Sequence, residues 1–488
     1  MKGRLRVIAV LILVAGRLAA EDVETPVTLE WGVRIPMRDG IELNATVFRP
    51  REVDDPLPVV FTLTPYTSDT YQDRAWYFAR HGYVFVLVDV RGRGNSEGEF
   101  TPFVQEAQDG HDVVEWLGGQ PWSNGKVAMW GGSYAGYDQW ATAKEFPPHL
   151  TTIVPAAAAF AGVDFPFWRN ILYPYEIQWL TLTSGATANF NLFGQSEFWI
   201  QTFRQLYKEH RAFVDLPQIA GNMTTTFATW MEHPHPDAYW DSMNPSAEEF
   251  ARLNLPILTI TGHYDGDQPG AMEFYNQHMK HGSEESRSRH FLIMGPWDHA
   301  GTRTPRQEVG GVTFGDASMV DLNELHRQWY DWTMKEGNRP EFLKKRVAYY
   351  VAGAERWKYA DSLEGIGAEP RRLYLASQDG EANEVFHSGS LIDDQPLADS
   401  GPDTYVYDPL DTRPGSLETE EVEHYLTDQT GDLNLFGNGL VYHSEPFTEN
   451  TEITGYIRLV AWLSIDVPDT DFQVSVSEIL RDGSAVHL

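Results

Sequence analysis

Five short apolar runs recur along the first part of the chain, and each ends at glycines or a polar loop. They are PVVFTLTPY (58–66), GYVFVLVDVRGRGNSEG (82–98), KVAMWGGSY (126–134), PILTITGHYDGD (256–267) and RHFLIMGPWDH (289–299). Runs this continuous suit strands covered on both faces, which is the condition of a parallel sheet. Parallel strands need long crossovers, and helix-compatible stretches lie between some of the runs. EAQDGHDVVEWLGGQ (106–120) is amphipathic, and GYDQWATAKEF (136–146) begins just after Ser133 and stops before Pro147 and Pro148. The alternation predicts an α/β sheet. An alternating stretch from Val27 to Arg49, with a turn at Asp39-Gly40, predicts a hairpin ahead of it.

The character changes twice. Residues 161–250 are aromatic and helix-compatible, and are expected to form a helical cap inserted between the two parts of the α/β domain, 27–160 and 251–340. After about residue 345 the chain is β-like and turn-rich. The segments RVAYYVAG, RRLYLAS, DTYVYDP, LVYHSEPF, TEITGYIRLVAWLSIDV and FQVSVSEIL predict a β-sandwich or jelly roll over 345–488. The last residues, ILRDGSAVHL, read as a DG turn and an opening strand, so an incomplete final hairpin is expected.

Charge and cysteine content exclude several functions. With 37 basic against 70 acidic residues the net charge is -33, which argues against nucleic acid and anionic membrane surfaces as partners. The absence of cysteine rules out disulfides, thiolate zinc sites and a cysteine nucleophile. At the N-terminus, basic MKGRLR precedes apolar VIAVLILVAG and then RLAA, which predicts a signal peptide over 1–20 and export to the periplasm or exterior. No later segment is long and apolar enough to span a bilayer. Association into a homo-oligomer is left open. GRGNSEG lacks the spacing of a dinucleotide loop, and DVPDTD (466–471) lacks that of a calcium loop.

In an α/β sheet, functional side chains collect beyond the carboxyl ends of the strands. Tyr66, Ser133, Asp265 and His299 all follow directly on a strand-like run. Ser133 sits in Gly131-Gly132-Ser133-Tyr134-Ala135, where a sharp strand-to-helix turn needs small residues two before and two after the serine. The following helix would point its amino end at a developing oxyanion, with the Tyr134 N–H as one donor. A serine hydroxyl needs a base, and the base needs a carboxylate to fix its tautomer. Asp265 and then His299 follow in the order serine, acid, histidine. His263, His290 and Asp298 compete for these roles, but His299 has the better loop position. This chemistry needs no metal or organic cofactor.

PYTSD, DVRGRGNSEGEF, GGSYAGYDQW, GHYDGD and GPWDH, in that order, resemble the CocE/NonD family of serine hydrolases. The resemblance runs from about residue 27 to 488. It implies an α/β-hydrolase core, a helical cap and a C-terminal jelly roll, acting on a small ester or amide. It also implies that the Tyr66 hydroxyl is the second oxyanion donor. Relatives that act on α-amino acid esters hold the substrate ammonium with three carboxylates. Here Asp164 and Asp267 match two of those places, while Gln268 stands at the third. The bland alternative, Asp164 as a helix cap and Asp267 as a turn residue, stays open. Trp168, Trp297 and Phe165 either line an acyl pocket or pack in the core. A dipeptidyl-peptidase removing Xaa-Pro units is the alternative activity, and a non-catalytic carbohydrate- or surface-binding protein the alternative of another class.

Overall fold

In the computed structural model, all five glycine-ended runs enter one ten-stranded sheet. The structure describes residues 27–488 apart from 52, 169, 368, 378–379, 397–400, 418–423 and 431, so the expected signal segment lies outside the described residues. The strands of the sheet are β1 (Val27–Pro36), β2 (Glu42–Pro50), β3 (Leu57–Thr64), β4 (Val84–Asp89), β5 (Ser123–Gly132), β6 (Leu150–Ala156), β7 (Ile257–Tyr264), β8 (His290–Asp298), β9 (Val347–Val351) and β10 (Arg356–Ala360). Across the sheet they lie in the order β1-β2-β4-β3-β5-β6-β7-β8-β9-β10. Only β2 and β10 run against their neighbours.

The runs of the inner strands β3, β4, β5, β7 and β8 are covered on both faces, which is why they are so continuously apolar. On one face Val59, Phe61, Val84 and Val86 pack with α2 (Glu106–Gly118) and α3 (Tyr134–Ala143). On the other, Val60, Phe85 and Leu87 pack with α1 (Gln72–Arg80) and with the late helix Leu322–Met334. The two-residue periodicity of strand side chains sorts each run between the faces. The hairpin at Asp39-Gly40 forms as expected, with Gly40 at φ 90.

The cap is helical, and its main helices are α4 (Tyr175–Leu182), α5 (Ser196–Lys208) and α6 (Thr225–Glu232). Its buried aromatics Trp179, Trp199, Phe227, Trp230 and Trp240 join the core on the α2/α3 face of the sheet. After the cap the chain returns through β7, α7 (Gln268–His281), β8 and α8 (Leu322–Met334).

One expectation for the C-terminal region is corrected. RVAYYVAG belongs to the large sheet, not to a separate sandwich. Val347 pairs in parallel with Leu292 of β8, Val347 and Ala348 are fully buried, and β10 closes the edge. Beyond it lies the C-terminal β domain, in which β11 (Tyr374–Ala376), β12 (Gly389–Ile392) and β13 (Tyr442–Ser444) make a three-stranded sheet. DTYVYDP and TEITGYIRLVAWLSIDV pair with no strand among the described residues. The final DG turn does close a hairpin, β14 (Ser477–Ile479) with β15 (Ala485–His487), because the end of FQVSVSEIL supplies the partner strand.

Candidate active site

Ser133 stands between β5 and α3 at φ 62 and ψ -130, a conformation that costs a non-glycine residue about 1–3 kcal/mol. The surroundings enforce it. Gly131 has φ 151, and a Cβ there would approach Ala135 Cβ to 2.6 Å. A Cβ on Gly132 would meet the Arg303 guanidinium at 2.4 Å. The Ser133 N–H donates to Ala156 O of β6 at 3.0 Å. The small residues of Gly-x-Ser-x-Ala are therefore steric necessities. The first N–H groups of a helix have no intrahelical acceptor, and the Tyr134 N–H, at the head of α3, is one of these.

Asp265 and His299 leave the ends of the adjacent parallel strands β7 and β8. Gly262 lets these strands close on each other, since a Cβ there would sit 2.0 Å from Trp297 O. The His299 Nδ1 lies 2.8 Å from Asp265 Oδ1. A carboxylate only accepts, so Nδ1 carries the proton and Nε2 is the basic nitrogen. The same Asp265 oxygen accepts the Asp267 N–H at 3.0 Å. Among the described residues no hydrogen bond joins Ser133 Oγ to His299. The serine oxygen lies instead 3.5 Å from the Tyr66 hydroxyl.

Charge around the imidazole is unbalanced toward acid. Burial by itself lowers the His299 pKa, but Asp265 and Asp267 outweigh it, and the net shift is upward. Asp267 Oδ2 is 3.7 Å from Nδ1. Burial pushes the Asp267 carboxyl up to about 6, opposed by the charges of His299 and Arg303. The histidine side chain keeps an open edge, 40% exposed, while Asp265 beneath it is sealed.

The other predicted residues divide. Tyr66 is buried at the head of its loop, and burial raises its phenol pKa, so it stays a proton donor. Asp164 is buried and committed: its two oxygens accept the N–H groups of Phe160 and Gly270, both at 2.7 Å. Burial and the neighbouring Asp267 hold its carboxyl well above the usual range. Gln268 ties down the loop through the carbonyls of Gly262 and His263. Trp297 is a correction: it is fully buried in the core on the α1/α8 face, donating to Ser318 O, and lines no acyl pocket. Trp168 stands exposed on the cap. Phe165 packs edge-on to Trp179 and Trp230 within the cap. His290 is spent in a buried chain from Thr259 through His278 to Ser286.

Two residues escaped the sequence reading. Trp179 of α4 donates its indole N–H to the Tyr66 hydroxyl at 2.9 Å. Glu106 accepts from the Tyr134 hydroxyl, which in turn accepts the Phe103 N–H at 2.6 Å. Burial pushes the Glu106 carboxyl up to about 7. Neither carries a local signal, since each partner lies far along the chain.

Residues 39–301 match the family described as X-Pro dipeptidyl-peptidase (S15 family), and residues 341–488 match X-Pro dipeptidyl-peptidase C-terminal non-catalytic domain. The chain is 28% identical over 497 residues to the cocaine esterase of a Rhodococcus species, covering 93% of this chain and 81% of that one. An aminopeptidase from a marine sediment archaeon of the Thaumarchaeota superposes with a TM-score of 0.62 at 22% identity, over 83% of this chain and 70% of the other. An α-amino acid ester hydrolase does so at 0.62 and 21%, over 85% and 72%. At these identities the two solved structures speak to the fold alone.

Proposed function

The chain belongs to the X-Pro dipeptidyl-peptidase (S15) family and is a serine hydrolase of the CocE/NonD type, and from that premise we propose that it cleaves small acyl esters or amides through a Ser133–His299–Asp265 triad. The observation that carries this reading is the Asp265–His299 pair at 2.8 Å, set on neighbouring strand ends of the sheet whose β5 ends at a serine held at φ 62.

The reaction follows from these atoms. Ser133 Oγ attacks the substrate carbonyl while His299 Nε2 takes its proton. The imidazolium that forms is stabilised by Asp265, which also fixes the tautomer. The carbonyl oxygen becomes an oxyanion, stabilised by the Tyr134 N–H and the Tyr66 hydroxyl. Collapse expels the alcohol or amine, which receives the proton from His299, and leaves an acyl-enzyme on Ser133. Water, deprotonated by the same nitrogen, releases the acid and restores the serine. The open serine–histidine geometry is compatible with this, because catalytic hydrogen bonds in a free enzyme often tighten only on substrate.

Treatment with a fluorophosphonate and peptide mapping tests the proposal. Labelling at Ser133 that disappears in Ser133→Ala supports it; a folded protein that resists labelling counts against it. One observation favours a second reading, removal of N-terminal Xaa-Pro dipeptides. Asp267 keeps a carboxylate beside the base that could meet a substrate ammonium, whereas Asp164 has both oxygens occupied by the backbone. Faster turnover of a Gly-Pro anilide than of a phenyl ester selects that reading. Export belongs to the same proposal, supported by the basic and apolar order of the first twenty residues. N-terminal sequencing of secreted protein, starting at Glu21, tests it.

A further inference from the structure

The GRGNSEG loop, which the nucleotide reading leaves without a role, is wound around its own chain. Asp89 accepts from Ser68 N at 2.7 Å and from Asn44 Nδ2 at 3.2 Å, and a Cβ on Gly94 would collide with its carboxylate. Arg93, fully buried, is the working residue. Its Nε donates to Pro65 O at 2.9 Å, one residue before Tyr66, and its Nη1 donates to Thr183 O at 2.6 Å. Thr183 is the residue that follows α4. One guanidinium therefore fixes the distance between the tyrosine loop and the end of the cap helix.

Trp179 lies on that helix, buried, with its indole N–H on the Tyr66 hydroxyl at 2.9 Å. Its ring also stacks on Tyr134, with centroids 5.6 Å apart and planes at 17°. The two oxyanion donors assigned above thus come from residues that both rest on one cap tryptophan. A hydroxyl that accepts on one side is polarised, and its own proton is directed to the other. The same hydroxyl has Ser133 Oγ 3.5 Å away.

We propose that Trp179 is a positioning residue for the oxyanion hole, so that the cap helix α4 takes part in the chemical step and not only in enclosing the substrate. This rests on the triad reading above. A tryptophan that merely lined an acyl pocket would act on binding. One that aims and polarises Tyr66 acts on the transition state.

The experiment is a double-mutant cycle on Trp179→Phe and Tyr66→Phe, with turnover of a small phenyl ester. Trp179→Phe keeps an aromatic ring and removes only the donor. It is expected to lower kcat about tenfold, the worth of one hydrogen bond, with KM changed less than about twofold. Tyr66→Phe is expected to lower kcat by about 100-fold or more. The double variant should be no slower than Tyr66→Phe alone, because the tryptophan acts through the tyrosine. An unchanged kcat in Trp179→Phe, a change confined to KM, or effects that multiply overturns the inference. A second measurement needs no change at position 179. With nitrogen-labelled tryptophan in the otherwise native protein, Tyr66→Phe should move one buried indole N–H resonance upfield, and no movement overturns the inference. If Ser133→Ala keeps its activity, the parent reading fails. If Ser133→Ala and Tyr66→Phe are slow while Trp179→Phe is not, only this inference fails.

Discussion

Val127–Trp130 and Leu459–Leu463 are both short apolar runs with one tryptophan, and they meet opposite fates. Val127, Ala128, Met129 and Trp130 are 0–3% exposed. Leu459, Val460, Trp462 and Leu463 are 50–103% exposed. The first run lies in β5 with β3 and β6 bonded on either side and helices on both faces. The second has no strand partner among the described residues. Hydrophobic side chains make a strand favourable only when a second layer removes them from water, at roughly 25 cal/mol per Å². Backbone groups likewise need partners. A β-like pattern is thus a capacity, and the neighbours decide whether it is used. The proposed triad, Ser133, His299 and Asp265, is built wholly on the side where it is used.

The largest contrast should appear in the chemistry. Asp265 is sealed at the end of β7 and holds His299. Asp265→Asn is expected to lower kcat by about 10⁴-fold, by favouring the wrong imidazole tautomer, with little loss of structure. Comparison of kcat and circular dichroism for the variant checks this. A loss below about tenfold would remove the triad from the account.

Next is packing. Trp329 of α8 is fully buried against the sheet, and its indole N–H donates to Thr152 Oγ1 at 2.9 Å. Trp329→Ala should cost about 3–5 kcal/mol of stability, read from denaturant unfolding. Much less would mean that the core on that face is looser than its burial states.

The sequence displayed this core because its inner strands carry runs buried on both faces and therefore continuously apolar. β3, β4, β5, β7 and β8 were legible as runs, and Ser133, Asp265 and His299 as the loop residues that end three of them. What was not legible was pairing over distance. RVAYYVAG reads as a strand, but nothing in it says that Val347 will meet Leu292. Trp179 looks like any helix tryptophan, because Tyr66 lies 113 positions away. Trp297 lies near the end of β8, in the motif that ends at His299, and only the packed structure turns its ring into the core.

A smaller effect probes the charge around the base. Asp265 and Asp267 both favour the imidazolium and hold its pKa above the ordinary histidine value of about 6.5. As the proposed base, His299 must be neutral to act, so kcat/KM should fall as pH drops through that raised pKa. Asp267→Asn removes one of the two carboxylates. The imidazolium is then less favoured, its pKa falls, and the acid limb should move toward lower pH. Kinetics from about pH 5 to 9 reads the direction. A limb that stays in place would mean that Asp267 is screened from His299.

The smallest expected effect returns to the opening contrast. Trp462 is fully exposed, on a segment without a ladder. Removing its ring deletes no buried contact and opens no cavity, so Trp462→Ala should change stability by no more than about 0.5 kcal/mol. The same solvent access should make Trp462 more readily quenched by acrylamide than Trp329. Denaturant unfolding of the two alanine variants, run side by side, measures the comparison directly. Equal costs would show that 459–463 is covered in solution by another layer. Unequal costs would show that an apolar, β-competent run can stay in water, and that the stability of this chain resides in the sheet that carries Ser133.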